Sequence, residues 1–138
     1  MSAKNIYHDV VIDALIADGW KITDDPLKLT YGKRKLYVDL GAERVIGAEQ
    51  NGKRIAVEIQ SFLGRSEVSD FEAAIGQYAV YQTVLRESEP DRALYLAIHL
   101  EIAEGIFAEP LGRLITSRQG VKILVFNEST RRVLEWID

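Results

Sequence analysis

Four polar residues, Asp39, Glu43, Glu58 and Gln60, have the types and spacing of a divalent-cation site. Glu58 and Gln60 are two residues apart in an apolar, β-branched run, so a β-strand directs both side chains to one face. Asp39 and Glu43 lie in a second such run, and pairing of the two runs would bring all four side chains together. Facing carboxylates repel, and Mg²⁺ removes this repulsion by taking one or two carboxylates with waters and substrate phosphate. The residues indicate Mg²⁺-assisted phosphate chemistry, or else solvated residues on the open face of a half-buried sheet.

A β-hairpin is predicted to position these residues, with Asn51-Gly52 between its two strands. Asn-Gly between apolar runs is the strongest short-range hairpin signal in a sequence. A two-residue loop there would pair Gln50 with Lys53 and would place Glu43 opposite Gln60. Because cross-strand partners share a face, the acidic residues of the first strand are expected beside those of the second.

Hydrophobic periodicity predicts the remaining elements. A first helix is expected from Asn5 to Asp18, and a second, capped by Ser66 or by Ser69 with Glu72, is expected to run to about Arg86. The predicted buried stripe of the second helix is Val68, Phe71, Ile75, Tyr78 and Leu85. Short helices are expected at 101–107 and 111–117, and strands at 20–23, 27–30, 92–98, 121–126 and 133–137. This order predicts an α/β fold with a mixed β-sheet flanked by helices.

Length and composition are typical of a globular protein. The 138 residues predict a single domain over 1–138, with 47% hydrophobic and 28% charged residues. The absence of cysteine excludes disulfides, thiolate metal sites and cysteine nucleophiles, and two histidines argue against a histidine-rich zinc site. The sequence shows neither an export signal nor a membrane-spanning apolar run, so a cytoplasmic protein without a membrane partner is expected.

A local cationic cluster contrasts with the net charge of −4. The net charge argues against indiscriminate attraction to nucleic acid, because such binding normally depends on a basic surface. Lys28, Lys33, Arg34 and Lys35 nevertheless lie just before the acidic strand. They predict either an ordinary solvated surface or a rim that contacts phosphates.

Longer segments of the sequence resemble a known family. HDVVIDALIADGW, DPLKL, LYVDLGAE, AVEIQSF and AAIGQY, followed by LYLAI, are similar to segments of the XisH family. Members of that family are known as controlling factors for excision of the fdxN DNA element and are typical of cyanobacteria. The likeness extends from His8 to Trp136. The order of helix, acidic hairpin, helix and buried strand also resembles the restriction-endonuclease-like PD-(D/E)xK nuclease fold.

The resemblance implies roles for the acidic residues. In nucleases of this fold, residues at the positions of Asp39 and Glu58 bind Mg²⁺, which polarises the scissile phosphate and lowers the pKa of the attacking water. Glu43 is the alternative ligand from the first strand. Gln60 stands where the superfamily usually has a lysine, and it would position water without supplying a positive charge.

The second helix carries a further match. Gln77 and Tyr81 fit the Gln-x-x-x-Tyr motif of RecB-like nucleases, in which the pair helps to position DNA and the active site. His8, in the first helix, is expected to support the same site. By itself, the pair is equally consistent with a polar helix surface and a half-buried tyrosine.

Three functions follow as expectations. The first is a DNA-element excision controlling factor that acts on or with DNA during site-specific recombination. The second is an active Mg²⁺-dependent DNA endonuclease, and the third is a non-catalytic protein-interaction module. The expected partners are DNA and other excision factors or a recombinase, and a homodimer is expected because dimers are common among small soluble proteins.

Overall fold

The computed structural model describes residues 6–46 and 51–138, which form helices and strands. The helices are α1 (His8–Ala17), α2 (Glu67–Ser88), α3 (Leu100–Glu104), a 3-10 turn (Ile106–Ala108) and α4 (Pro110–Arg118). The strands are β1 (Lys21–Asp24), β2 (Leu27–Tyr31), β3 (Arg34–Val38), β4 (Leu40–Ile46), β5 (Asn51–Ile59), β6 (Ala93–His99), β7 (Lys122–Asn127) and β8 (Arg132–Ile137). The predicted start of the first helix at Asn5 lies outside the described residues.

In the described part of the chain, six strands form one mixed sheet in the order β1-β4-β5-β6-β7-β8, and β2 and β3 form a separate antiparallel pair. Strands β5, β6 and β7 are parallel, whereas β1, β4 and β8 run antiparallel to their neighbours. A parallel connection requires a crossover, which α2 provides between β5 and β6. The segment from α3 to α4 provides the next crossover. The predicted mixed α/β architecture is confirmed.

Both faces of the central strands are buried. On β5, Ile55, Val57 and Ile59 pack in a cluster with α1, while Ala56 packs on the opposite face with α2. This is the predicted alternation of β5, but the expected open face does not exist at Glu58, which is only 6% exposed. The interpretation of Glu58 as a solvated surface residue is therefore wrong.

The predicted register of β4 and β5 is also wrong. Glu43 pairs with Arg54 rather than with Gln60, and Lys53 pairs with Arg44. Asn51-Gly52 lies within β5 and is not the turn, while Gln50 lies outside the described residues. The observed and predicted registers differ by an even number of residues. Such a shift leaves every side chain on its predicted face, so hydrophobic alternation could not reveal it.

The first strand of the predicted hairpin is divided at Asp39. Residues 34–38 form β3 and pair with β2, and the chain bends at Asp39 before β4 begins. The division occurs because Leu36 and Val38 pack with Leu27 and Leu29 of β2 in the cluster that contains α2, whereas Leu40 packs in the cluster on the other face of the main sheet. Asp39 consequently lies at the junction of the two sheets.

Helix α2 begins at the predicted cap, where Ser66 Oγ accepts a hydrogen bond from the Ser69 N–H at 3.1 Å. Its buried face differs slightly from the predicted stripe: Val68 is exposed. The buried residues recur at three- and four-residue intervals and are Phe71, Ala74, Tyr78, Tyr81 and Leu85. This rotation of the buried face directs Tyr81 toward the sheet.

Among the described helices, none combines the length and hydropathy that a membrane span requires.

Candidate active site

Asp39 and Glu58 face each other where β4 and β5 stop pairing through their backbones. The Asp39 N–H donates to Glu58 Oε1 at 3.2 Å, and the Ile59 N–H donates to Asp39 Oδ2 at 2.8 Å. The backbone register ends at Leu40 and Val57, so residues 39 and 58 form the next pair. Side-chain carboxylates thus accept the hydrogen bonds that backbone carbonyls accept elsewhere in the ladder. This arrangement holds both carboxylates in fixed positions.

Burial and mutual repulsion favour the protonated forms of these two groups. Burial raises the pKa of Glu58 to about 8, with a further contribution from the negative charge of Asp39. Burial also raises the pKa of Asp39, although the hydrogen bond from Ile59 and the positive charge of His8 oppose this rise. Near pH 7 the pair therefore retains a proton when no cation neutralises it.

A histidine and a third carboxylate extend the site. His8, which is buried at the start of α1, places its Nε2 2.7 Å from Oδ1 of Asp25. The charges of both residues affect Asp39: His8 lowers the pKa of Asp39, and Asp25 raises it. The structure thus brings His8 to the predicted site through Asp25.

Sequence reasoning missed Asp25 as a site residue. It lies between the short strands predicted at 20–23 and 27–30, and no role in the site was assigned to it. The available signal was topological: β2 begins just after Asp25-Pro26, and β3, its partner, ends just before Asp39. Because antiparallel neighbours bring these two ends together, Asp25 and Asp39 had to lie near each other.

Gln60, Gln77 and Tyr81 form one hydrogen-bonded chain between the end of β5 and α2. Gln60 Nε2 donates to Gln77 Oε1 at 2.6 Å, and Gln77 Nε2 donates to the Tyr81 hydroxyl at 3.0 Å. Burial raises the pKa of Tyr81, and the negative charge of Glu58 raises it further. Tyr81 therefore lies within electrostatic range of the carboxylates and remains a neutral hydroxyl. The sequence predicted that these residues lie near one another, and they do.

Glu43 is not brought to the same place. It shares a face with Glu58, but its cross-strand partner is Arg54. Arg54 and Glu58 are four residues apart on β5, which corresponds to roughly 13 Å at the usual rise of a strand. The first-strand carboxylate that contacts Glu58 is Asp39.

Asp39, which is half-buried, and Glu58, which is buried, fit a hydrated Mg²⁺ better than a metal site made entirely of protein ligands. Within residues 6–46 and 51–138, no group of three or more histidine, cysteine or acidic side chains is arranged to hold a metal. Mg²⁺ commonly uses one or two carboxylates and completes its octahedral shell with waters and phosphate oxygens. Asp39 and Glu58 supply that number of ligands, and a cation between them would remove their mutual repulsion and favour ionised Glu58, whose burial otherwise favours the protonated form.

Comparison with known proteins identifies one family. The profile of the XisH protein family matches residues 1–134. None of the curated proteins matches the chain.

Two solved structures are similar over almost their whole length. A crystal structure of an XisH family protein from Nostoc punctiforme has 36% sequence identity and a TM-score of 0.89, and the match covers 97% of this chain and 100% of the other. An fdxN element excision controlling factor protein from Anabaena variabilis has 39% identity and a TM-score of 0.88, with 98% and 100% coverage. Both organisms are cyanobacteria, as the sequence resemblance led us to expect.

Proposed function

Because this chain belongs to the XisH family, we propose that it is an excision controlling factor that acts on DNA during site-specific recombination. The name of the Anabaena variabilis relative, an fdxN element excision controlling factor protein, supports the link to element excision. The observation that carries the action on DNA is the pairing of Asp39 with Glu58. A buried carboxylate beside a half-buried one, both with raised pKa values, is typical of sites that bind a cation or transfer protons.

We further propose that the fold is a restriction-endonuclease-like PD-(D/E)xK core. Three features support this assignment. Asp39 precedes β4, Glu58 and Gln60 end β5, and α2 returns Gln77 and Tyr81 to the same end of the sheet. The proposal therefore depends on the spatial agreement of two motifs that are weak when each is considered alone.

In the proposed reaction, Asp39 and Glu58 would hold Mg²⁺, and the bound ion would supply polarisation of a phosphodiester and a lowered pKa for the attacking water. Asp39 is oriented by the Ile59 N–H, and Glu58 by the Asp39 N–H. Gln60 is held by Gln77 at the same end of β5 and positions the water by hydrogen bonding. The Tyr81 hydroxyl accepts from Gln77 and keeps its own proton available for donation to a phosphate oxygen.

Gln60 lowers the expected rate of this reaction. A preorganised charged group that stabilises the developing anion contributes about 3 kcal/mol, and a neutral carboxamide supplies less. We therefore expect slow cleavage, measured in single-turnover conditions with excess protein.

The test is cleavage of supercoiled plasmid and of labelled duplexes with Mg²⁺ or Mn²⁺, compared with EDTA. Asp39→Asn and Glu58→Gln should abolish cleavage while circular dichroism shows a folded protein. Glu43→Gln should retain it, since Glu43 lies beside Arg54. Cleavage that persists in Asp39→Asn and Glu58→Gln would refute the catalytic assignment.

A second candidate function is favoured by the neutral Gln60–Gln77 contact: a DNA-bound factor that directs a separate recombinase without cutting. Other excision factors or that recombinase would then be its partners. An excision assay in cells distinguishes the two. Excision that proceeds with Asp39→Asn or Glu58→Gln supports the non-catalytic factor, and excision lost with both supports catalysis. Either role places the protein in the cytoplasm, with DNA.

The third candidate, a protein-interaction module, is favoured by β8. This strand lies at the edge of the sheet, and most of its residues are exposed. An exposed edge strand can add to the sheet of a second protein. The expected homodimer is tested by light scattering after size-exclusion chromatography.

A further inference from the structure

The β2–β3 hairpin presents a cationic outer face. Its register places Lys28 opposite Tyr37 and Thr30 opposite Lys35, so these four side chains share one side. All four are exposed, Tyr37 to 51%. Lys33 and Arg34 lie at the tip, and the sequence contains no acidic residue from position 27 to 38. The hairpin therefore carries a positive charge, whereas the net charge of the whole chain is negative.

The opposite side of the hairpin is fixed to the protein. Leu27, Leu29 and Val38 are buried in the cluster that contains α2, and Leu36 packs against the same cluster. This apolar contact fixes which side faces outward. The packing of the core therefore determines the orientation of the cationic face.

Among the described residues, no carboxylate lies within ion-pair distance of the four cations of the hairpin. Lys28, Lys33, Arg34 and Lys35 form no ion pair with any residue in the described ranges. Elsewhere, several arginines are paired with carboxylates: Arg44 with Asp18, Arg54 and Arg92 with Glu89, and Arg131 with Asp13. In a protein with an excess of acidic residues, a cluster left without carboxylates is complementary to an external polyanion.

The hairpin leads directly to the candidate active site. Val38, the last residue of β3, precedes Asp39, and its partner Leu27 follows Asp25-Pro26. From the tip to Asp39 the strand extends over roughly 15 Å, about four steps along a DNA duplex at 3.4 Å each. A phosphate backbone lying on the outer face would therefore continue toward Asp39 and Glu58.

We propose that the outer face of the β2–β3 hairpin binds the phosphate backbone of a nucleic-acid strand and guides it to the Asp39–Glu58 pair. Lys28 and Lys35 contact phosphates, and Tyr37 packs against a sugar or an unstacked base. That the strand is guided to Asp39 and Glu58 rests on the proposed function of the site. Binding of nucleic acid to the hairpin does not rest on it, and this binding is measured without cleavage.

The test is fluorescence anisotropy of labelled duplex and single-stranded DNA in EDTA over a series of salt concentrations. The double variant K28Q/K35Q should weaken binding on the order of tenfold for each lysine near 0.1 M salt. The slope of log K against log salt should fall by about 0.9 per lysine for duplex and about 0.7 for single strands. Tyr37→Ala should weaken single-strand binding more than duplex binding, whereas Tyr37→Phe should not.

Matched variants separate this surface from general charge effects. R118Q/R132Q removes two exposed cations from α4 and β8 and should leave affinity and slope unchanged. K28R/K35R keeps both charges and should bind as the wild type, which excludes loss of folding as the cause. Equal affinities and slopes for K28Q/K35Q and wild type would overturn the proposal. So would lysine-dependent binding of polyglutamate without binding of DNA, because it would identify an acidic protein segment as the occupant.

The two proposals fail separately. If K28Q/K35Q loses binding while the wild type never cleaves, the hairpin assignment stands and the catalytic one falls. If cleavage requires Glu58 but K28Q/K35Q binds normally, the reverse holds.

Discussion

Gln60 Nε2 lies 2.6 Å from Gln77 Oε1, and this contact joins the end of β5 to the middle of α2. The carbonyl oxygen of Gln77 can accept a hydrogen bond from an ammonium group as well as from a carboxamide. A lysine at position 60 could therefore donate to the same oxygen of Gln77. Gln60 connects strand and helix through this oxygen without bringing a positive charge to the site.

We predict that Gln60→Lys increases cleavage. The ammonium group would retain the contact with Gln77 and would stabilise the charge that develops on phosphate, a contribution of about 3 kcal/mol, or about a hundredfold in rate. Single-turnover rates with Mg²⁺ for wild type and Gln60→Lys measure this effect. Q60K/E58Q is the control and should remain inactive. An unchanged rate in Gln60→Lys would show that the charge at this position is not what limits the reaction.

Much of this site followed from alternation and residue order. The side-chain period of a strand placed Glu58 and Gln60 on the face opposite Ile55 and Val57 whatever the register, and Gln77 and Tyr81 lie four residues apart on the helix that follows. The register itself could not be predicted, because the alternation is identical after an even shift. Asn51-Gly52 was wrongly predicted to be the hairpin turn, because this dipeptide indicates only a local turn preference.

Two other features depend on tertiary packing. Asp39 forms a bend because Val38 packs in the cluster that contains α2 and Leu40 in the cluster on the other face of the main sheet, and no local signal marks that separation. Asp25 joins the site through pairing of β2 with β3, which requires the topology to be known. Burial of Glu58 likewise arises from α2 and the β2–β3 hairpin, both distant from β5 in sequence.

The stability of the cation-free protein should depend on Glu58 and decrease as pH rises. The folded-state pKa of about 8 exceeds the ordinary value of 4.5, so the folded protein holds a proton that the unfolded chain releases. This contribution is complete below about pH 4.5 and is lost as pH rises through about 8, by an amount on the order of a few kcal/mol.

Urea unfolding in EDTA measures this dependence. Glu58→Gln removes the titrating group and keeps a hydrogen-bond acceptor for the Asp39 N–H, so its free energy of unfolding should exceed that of wild type increasingly between about pH 5 and pH 9. The difference between the two free energies of unfolding cancels the contribution of groups that do not interact with Glu58. A constant difference over this range would contradict the raised pKa of Glu58.

Binding of Mg²⁺ should release protons. Glu58 is largely protonated near pH 7 but must be ionised to bind a cation, so affinity should increase as pH rises toward about 8. Titration calorimetry in buffers of different ionisation enthalpy counts the released protons, which should approach one per cation near pH 7. Binding without proton release, or binding retained in Glu58→Gln, would show that the cation occupies another position.

The imidazole of His8 contacts two carboxylates, Asp25 and Asp9, whose contributions to the free energy of unfolding can be compared. Its Nε2 lies 2.7 Å from Asp25, whose side chain is 36% exposed, and its Nδ1 lies 3.4 Å from Asp9, whose side chain is 87% exposed. A short, partly buried contact stabilises more than a long, solvated one, so Asp25→Asn should lower the free energy of unfolding by about 1 kcal/mol and Asp9→Asn by less than about 0.3 kcal/mol.

His8 and its two carboxylate partners should differ in their effect on the pH midpoint of Mg²⁺ binding. Asp25 raises the pKa of Asp39 by its negative charge, so Asp25→Asn removes that repulsion and would by itself favour ionised Asp39. Asp25 also holds His8, whose positive charge lowers the pKa of Asp39, and His8→Gln removes it. We therefore expect His8→Gln to shift the pH midpoint of Mg²⁺ binding upward and Asp9→Asn to leave it in place. Equal midpoints in His8→Gln and wild type, measured by titration calorimetry, would show that His8 supports the fold but not the electrostatics of the site.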